Sequence, residues 1–151
     1  MTALIHNFPL IAALSAIVLA QFIKVPLFLF MQRSWNPAIA FSTGGMPSSH
    51  AAAVTSLTTA IAWKAGVSST GFAIGVVLSA ITMFDAAGIR RHAGIHASFI
   101  NRLMTVIRHE DHSAENHPVL KEMLGHRPIE VIAGAIFGIA VSTGLYWLFY
   151  R

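Results

Sequence analysis

A chain of 151 residues is by default one domain, and this one is 55% hydrophobic and only 11% charged, less than half the ~25% charge of an ordinary soluble domain. That charge cannot clothe a water-soluble globule, and the ten Lys and Arg stand mostly at the edges of apolar segments, which excludes a nucleic-acid-binding stripe and points to membrane orientation. The absence of cysteine excludes a disulfide framework and thiolate chemistry.

Crossing a bilayer core takes about 20 apolar residues in a helix. The first such run extends from about Phe8 to Phe30, interrupted by Gln21, Lys24 and Pro26. No Lys or Arg precedes Lys24, so the charged start of a signal peptide is missing and the segment is expected to be retained. Residues 32–47 form a Gly/Pro-rich turn region ending in Gly44-Gly45-Met46-Pro47. A second run, residues 49–65, is short and rich in Ala and Thr, and is expected to tilt or to thin the bilayer locally. The third run covers residues 70–87, with Asp85 near its end. Residues 88–128 hold most of the charge and six of the eight histidines; their middle, 108–118, reads as a loop between amphipathic stretches along the membrane face. The last run, 129–150, closes with Tyr146, Trp147, Phe149 and Tyr150, an interfacial anchor. Gly71 and Gly75, and Gly134, Gly138 and Ser142, recur four apart and permit close helix packing. The pattern predicts a single all-α domain over residues 1–151, an integral membrane bundle of about four transmembrane helices plus short amphipathic or re-entrant segments.

With four crossings, one side receives Lys24, Arg33, Arg90, Arg91, Arg102, Arg108, Lys121 and Arg127, and the other only Lys64 and Arg151. The excess of positive charge is expected to make the first side cytoplasmic and to put both termini outside. Setting aside Lys24, Arg90, Arg91 and Arg127 as groups with chemistry to do still leaves four against two. The same topology gathers every unusual polar group at one membrane face, where ionisable residues mark function by default.

Three segments carry candidate chemistry. Gly44 to His50 leads into a helix: Gly44 and Gly45 let the backbone approach a ligand, Pro47 opens a first turn, and the free N–H groups there attract anions. Ser48 and Ser49 add hydroxyl donors, and His50 can give or take a proton; the plainer reading is an ordinary Ser-capped helix. In Leu124 to Glu130, His126 and Glu130 are four apart and share a helix face, so the carboxylate can orient the imidazole and leave its other nitrogen as a nucleophile; a local ion pair at a cap is the alternative. In Asp85 to Arg91, Arg90 and Arg91 can grip phosphate oxygens or simply mark the positive-inside face, with Asp85 as their partner or as a solvated cap. Lys24 either snorkels to the headgroups or supplies charge to a bound phosphate.

Pro47-Ser48-Ser49-His50 resembles the Pro-Ser-Gly-His signature of the type 2 phosphatidic acid phosphatase superfamily, which includes vanadium-dependent haloperoxidases. Nearly the whole chain resembles its divergent branch of small membrane proteins, with Gly44 to His50, Asp85 to Arg91 and Leu120 to Glu130 matching in order and spacing. The resemblance implies a lipid phosphate or pyrophosphate phosphatase that works without metal or other cofactor, through a phosphohistidine. It makes His126 the nucleophile, His50 the general acid and Glu130 the orienting carboxylate. Lys24, Gly45, Ser48, Ser49, Arg90 and Arg91 become phosphate ligands, with Asp85 and Arg127 as secondary candidates. The chain departs from the superfamily pattern at Met31 and Leu120, where arginine-bearing motifs are expected, and in having Glu130 rather than Asp. Arg90, Arg91 or Arg127 would have to stand in for the missing arginines.

Two further classes stay open. The same anion site could bind or move a phosphorylated lipid without catalysis. Alternatively, His92 and His96, four apart, together with the cluster His109, Asp111, His112 and His117, could hold a metal. Trp35, Asn36 and Asn101 are candidates for headgroup contact. The expected partners are an amphiphilic phosphorylated substrate and the bilayer, and a homodimer would help to cover a charged pocket walled by so few helices.

Overall fold

The computed structural model describes residues 6–33, 44–110, 118–122 and 124–150. Helix α1 (Phe8–Gln32) starts where the Asn7 side chain accepts the Leu10 N–H, and it ends on Arg33 in the left-handed conformation. Ser48 caps α2 (Ser49–Ala65) and Ser69 caps α3 (Thr70–Phe84), each accepting a first-turn N–H as short hydroxyl side chains do. The third apolar run does not stop near residue 87 as expected. A π turn, Asp85–Ile89, carries it straight into the amphipathic α4 (Arg90–Glu110), because a widened turn absorbs an extra residue without breaking the helix. Helix α5 (Pro128–Tyr150) opens on a proline whose missing N–H costs nothing at that position. Among the described residues there is no strand.

Among the described residues three helices, Phe8–Phe30, Thr70–Ile107 and Pro128–Phe149, are long and apolar enough to cross a membrane. The remaining one, α2, has 17 residues and spans about 25 Å, and it is the centre of the bundle. It packs against α1, α3 and α5 together. Its composition follows from that position. Ala51, Ala52, Thr55, Ser56, Thr58 and Ala60 are buried, so α2 meets helices rather than lipid, and small side chains let the neighbours close in. A Cβ on Gly134 would collide with the Ser48 carbonyl, and one on Gly138 with the Ala52 carbonyl and the Thr55 hydroxyl. Hydroxyls join the same helices: Thr55 Oγ1 donates to the Ala135 carbonyl at 3.1 Å, and Thr58 and Ser79 bond at 3.0 Å.

The contacts fix an up-down-up-down order. At one end Phe8, Ala12, Ala60 and Tyr146 cluster, with Tyr146 stacked on Trp63 at 4.9 Å, the aromatic anchor expected at an interface. At the other end Ala51, Ala86 and Val131 meet. The start of α2, the π turn and the start of α5 therefore share one face of the membrane domain, about one turn beyond the Ala16–Ala20–Ala52 contact, itself one turn below Lys24 along α1.

Candidate active site at one membrane face

The site is assembled by backbone bonds between elements far apart in sequence. The Ser48 N–H donates to the Glu130 carbonyl at 3.0 Å, tying the start of α2 to the first turn of α5. The His126 N–H donates to the Ala86 carbonyl at 2.9 Å, so a carbonyl within the π turn fixes the segment two residues ahead of α5. Gly125, at φ +78°, lies so close to Arg90 and Arg91 that a side chain there would strike their backbone. Only glycine meets both demands.

These bonds hold His126 at 3% exposure, with Nδ1 3.1 Å from Glu130 Oε2. Glu130 Oε2 also accepts the Arg127 N–H at 3.2 Å, so the carboxylate orients the ring and caps α5 at once. Burial pushes the imidazole below its ordinary pKa, while the hydrogen bond and charge of Glu130 push the other way; Lys24 adds to the lowering and the Gly45 carbonyl opposes it. Nε2 is buried and makes no hydrogen bond of good geometry among the described residues. The ring centres of His126 and His50 lie 6.2 Å apart in an edge-on arrangement. Two rings at this separation can reach one phosphoryl group, since a reacting pair needs an approach of about 3–3.5 Å.

The remaining candidates fall into three groups. Lys24 is 1% exposed and close enough to Glu130 and His126 for their charges to interact. A buried ammonium at this depth is costly unless it serves a charge. Arg90 donates from Nε to Asp85 Oδ2 across the π turn, with both side chains partly exposed, and both charges act on His50. Arg91 and Arg127 are exposed at the same face. Ser48 and Ser49 are buried beside Gly45 at the start of α2, with Ser48 Oγ accepting the Ala51 N–H at 3.4 Å. The capping reading of Ser48 thus holds, and its hydroxyl keeps a proton to donate.

The sequence did not signal the part played by the π turn or by Asn101. Asn101, read as a headgroup contact, is a clasp: its side chain donates to the Leu120 carbonyl at 2.9 Å and to Glu122 at 2.8 Å, and accepts the Leu120 N–H at 3.0 Å. It hangs the segment leading to His126 on α4. Beside the clasp a cavity of about 650 Å³, lined by Asn101, Arg102, Thr105 and Val119 among others, shares no residue with the histidine site. Among the described residues no three His, Asp or Glu side chains converge as a metal site. Asp111, His112 and His117, and likewise Trp35 and Asn36, lie outside the described residues, as does most of the expected turn region.

A profile described as the Divergent PAP2 family matches residues 5–141. The uncharacterized membrane protein YuiD of Bacillus subtilis (strain 168) is 44% identical over 155 residues, an alignment covering 97% of this chain and 98% of the relative. No solved structure matches the chain.

Proposed function

The chain belongs to the divergent PAP2 family, and from that premise we propose that this multi-pass membrane protein hydrolyses a phosphomonoester or pyrophosphate on an amphiphilic substrate, without a metal, through a phosphohistidine. The observation that carries the reading is His126, a buried imidazole held by Glu130 through Nδ1, its ring 6.2 Å from that of His50 and its Nε2 without a hydrogen bond of good geometry among the described residues. A neutral ring anchored in this way presents a lone pair at Nε2.

In the proposed reaction His126 Nε2 attacks phosphorus, and the bond from phosphorus to the leaving oxygen breaks. His50, the exposed ring of the pair, protonates that oxygen. Glu130 stabilises the charge that develops on His126. Water, giving its proton to His50, then attacks the phosphorus and releases inorganic phosphate and the free imidazole. Phosphoryl transfer asks the protein for positioning and positive charge. Lys24, Arg90 and Arg91 supply the charge, and the first-turn N–H groups of α2 with Gly45, Ser48 and Ser49 supply donors. Arg90 would leave Asp85 for the phosphate. Arg127 stands at the rim, and the site face is assigned to the cytoplasm of a bacterial inner membrane.

The test is release of inorganic phosphate by detergent-purified protein from phosphatidic acid, phosphatidylglycerophosphate and a prenyl diphosphate, in the presence of a chelator. Turnover, inhibition by vanadate, and a fall of at least roughly 10³-fold in His126→Ala and in His50→Ala are expected. Thermal stabilisation by these lipids with no phosphate released would replace the enzyme with a non-catalytic binder or carrier of phosphorylated lipid.

A further inference from the structure

Thr70 to Ile107 form one continuous helix of 38 residues, about 57 Å at ~1.5 Å per residue, nearly twice the ~30 Å hydrocarbon core. α3 and the π turn together contain 20 residues and fill the core, so α4 lies beyond it on the face that carries the site. One side of α4 is covered: Gly94 seats the backbone of Glu122 and Leu124, and Asn101 clasps Leu120. The opposite side is a stripe of Ile95, Phe99, Leu103 and Val106, all exposed. Exposed apolar residues likewise line α3, among them Ile74, Val77, Ile81 and Phe84.

Pointing straight into water, α4 would present a contiguous apolar face that soluble surfaces rarely tolerate. A π turn is a place where a helix can turn aside. Residues 90–107 also contain three arginines, two histidines and no acid, a charge pattern that complements anionic headgroups and repels a second copy of itself. We propose that α4 turns at Asp85–Ile89 and docks in the headgroup layer of the site-face leaflet, with Ile95, Phe99, Leu103 and Val106 at the acyl boundary and Arg102 among anionic lipid phosphates. This docking is independent of the chemistry assigned to His126.

The chain has no cysteine, so single variants Phe99→Cys, Leu103→Cys and, as the reference on the clasp side of α4, Thr105→Cys can each carry a nitroxide. In vesicles of phosphatidylcholine and phosphatidylglycerol, relaxation by oxygen relative to a water-soluble nickel chelate is expected to be several-fold higher at 99 and 103 than at 105. The contrast is expected to shrink when phosphatidylglycerol is omitted. Equal ratios at the three positions, or chelate access at 99 and 103, would overturn the docking. Strong spin–spin broadening at 99 or 103 would overturn it in favour of a second copy, and a contrast indifferent to phosphatidylglycerol would remove the anionic headgroup from the proposal.

Discussion

Because burial outweighs Glu130 at His126, the ring is neutral near pH 7, and its one proton belongs on Nδ1, facing the carboxylate. The folded pKa lies below the unfolded value of about 6.5, so the folded state binds fewer protons than the unfolded one between the two. The stabilisation from this histidine is complete above about pH 6.5 and is lost as pH falls through the lowered value. Thermal midpoints in detergent should therefore drop on acidification through that window, and His126→Ala should flatten the drop. For the proposed reaction the acid limb of kcat/KM falls in the same window, as Nε2 takes up a proton. Glu130→Gln can still accept the Arg127 N–H but carries no charge. It should cost roughly 10²–10⁴-fold in kcat with a small change in thermal midpoint. The pair was legible beforehand, because residues four apart ahead of an apolar run share a helix face. That the ring is buried beside His50 was not, since it depends on Ala86 and Gly125, which carry no chemistry of their own.

Among the elements, α2 departs furthest from its appearance in the sequence. Hydropathy locates it but ranks it weakest, for the same reason that it ends up enclosed: its Ala, Ser and Thr residues suit helices rather than lipid. The glycines of α5 make this testable. Gly138→Leu forces a side chain into the Ala52 carbonyl and Thr55, and should destabilise the protein by about 1–3 kcal/mol, the usual cost of overpacking. Gly144 has open space where a Cβ would go, so Gly144→Ala should be neutral or stabilise by about 0.5–1 kcal/mol through helix propensity. Unfolding of both variants in graded denaturing detergent measures the contrast. The π turn left no mark in the sequence: Asp85, Ala86 and Gly88 read equally well as the end of a helix. The continuation of that helix to Glu110 shows only in the fold.

For the molecule as a whole, the site face was legible from charge and topology together, because four crossings bring Lys24, His50, Asp85 and His126 to one end and the fold repeats that arrangement. Which compartment that face meets is a question for labelling. In intact cells Val67→Cys, in the turn between α2 and α3, should react with a membrane-impermeant maleimide, whereas Lys121→Cys should react only after permeabilisation; the reverse pattern would invert the orientation. The enclosure of α2 also bears on how the protein is made. A newly synthesised chain offers this segment to the translocon before α3 and α5 exist to surround it, and a stretch so rich in Ser and Thr has little reason to leave the channel alone. It should enter the bilayer only as a hairpin with a flanking helix, so biogenesis waits for residues that have yet to leave the ribosome.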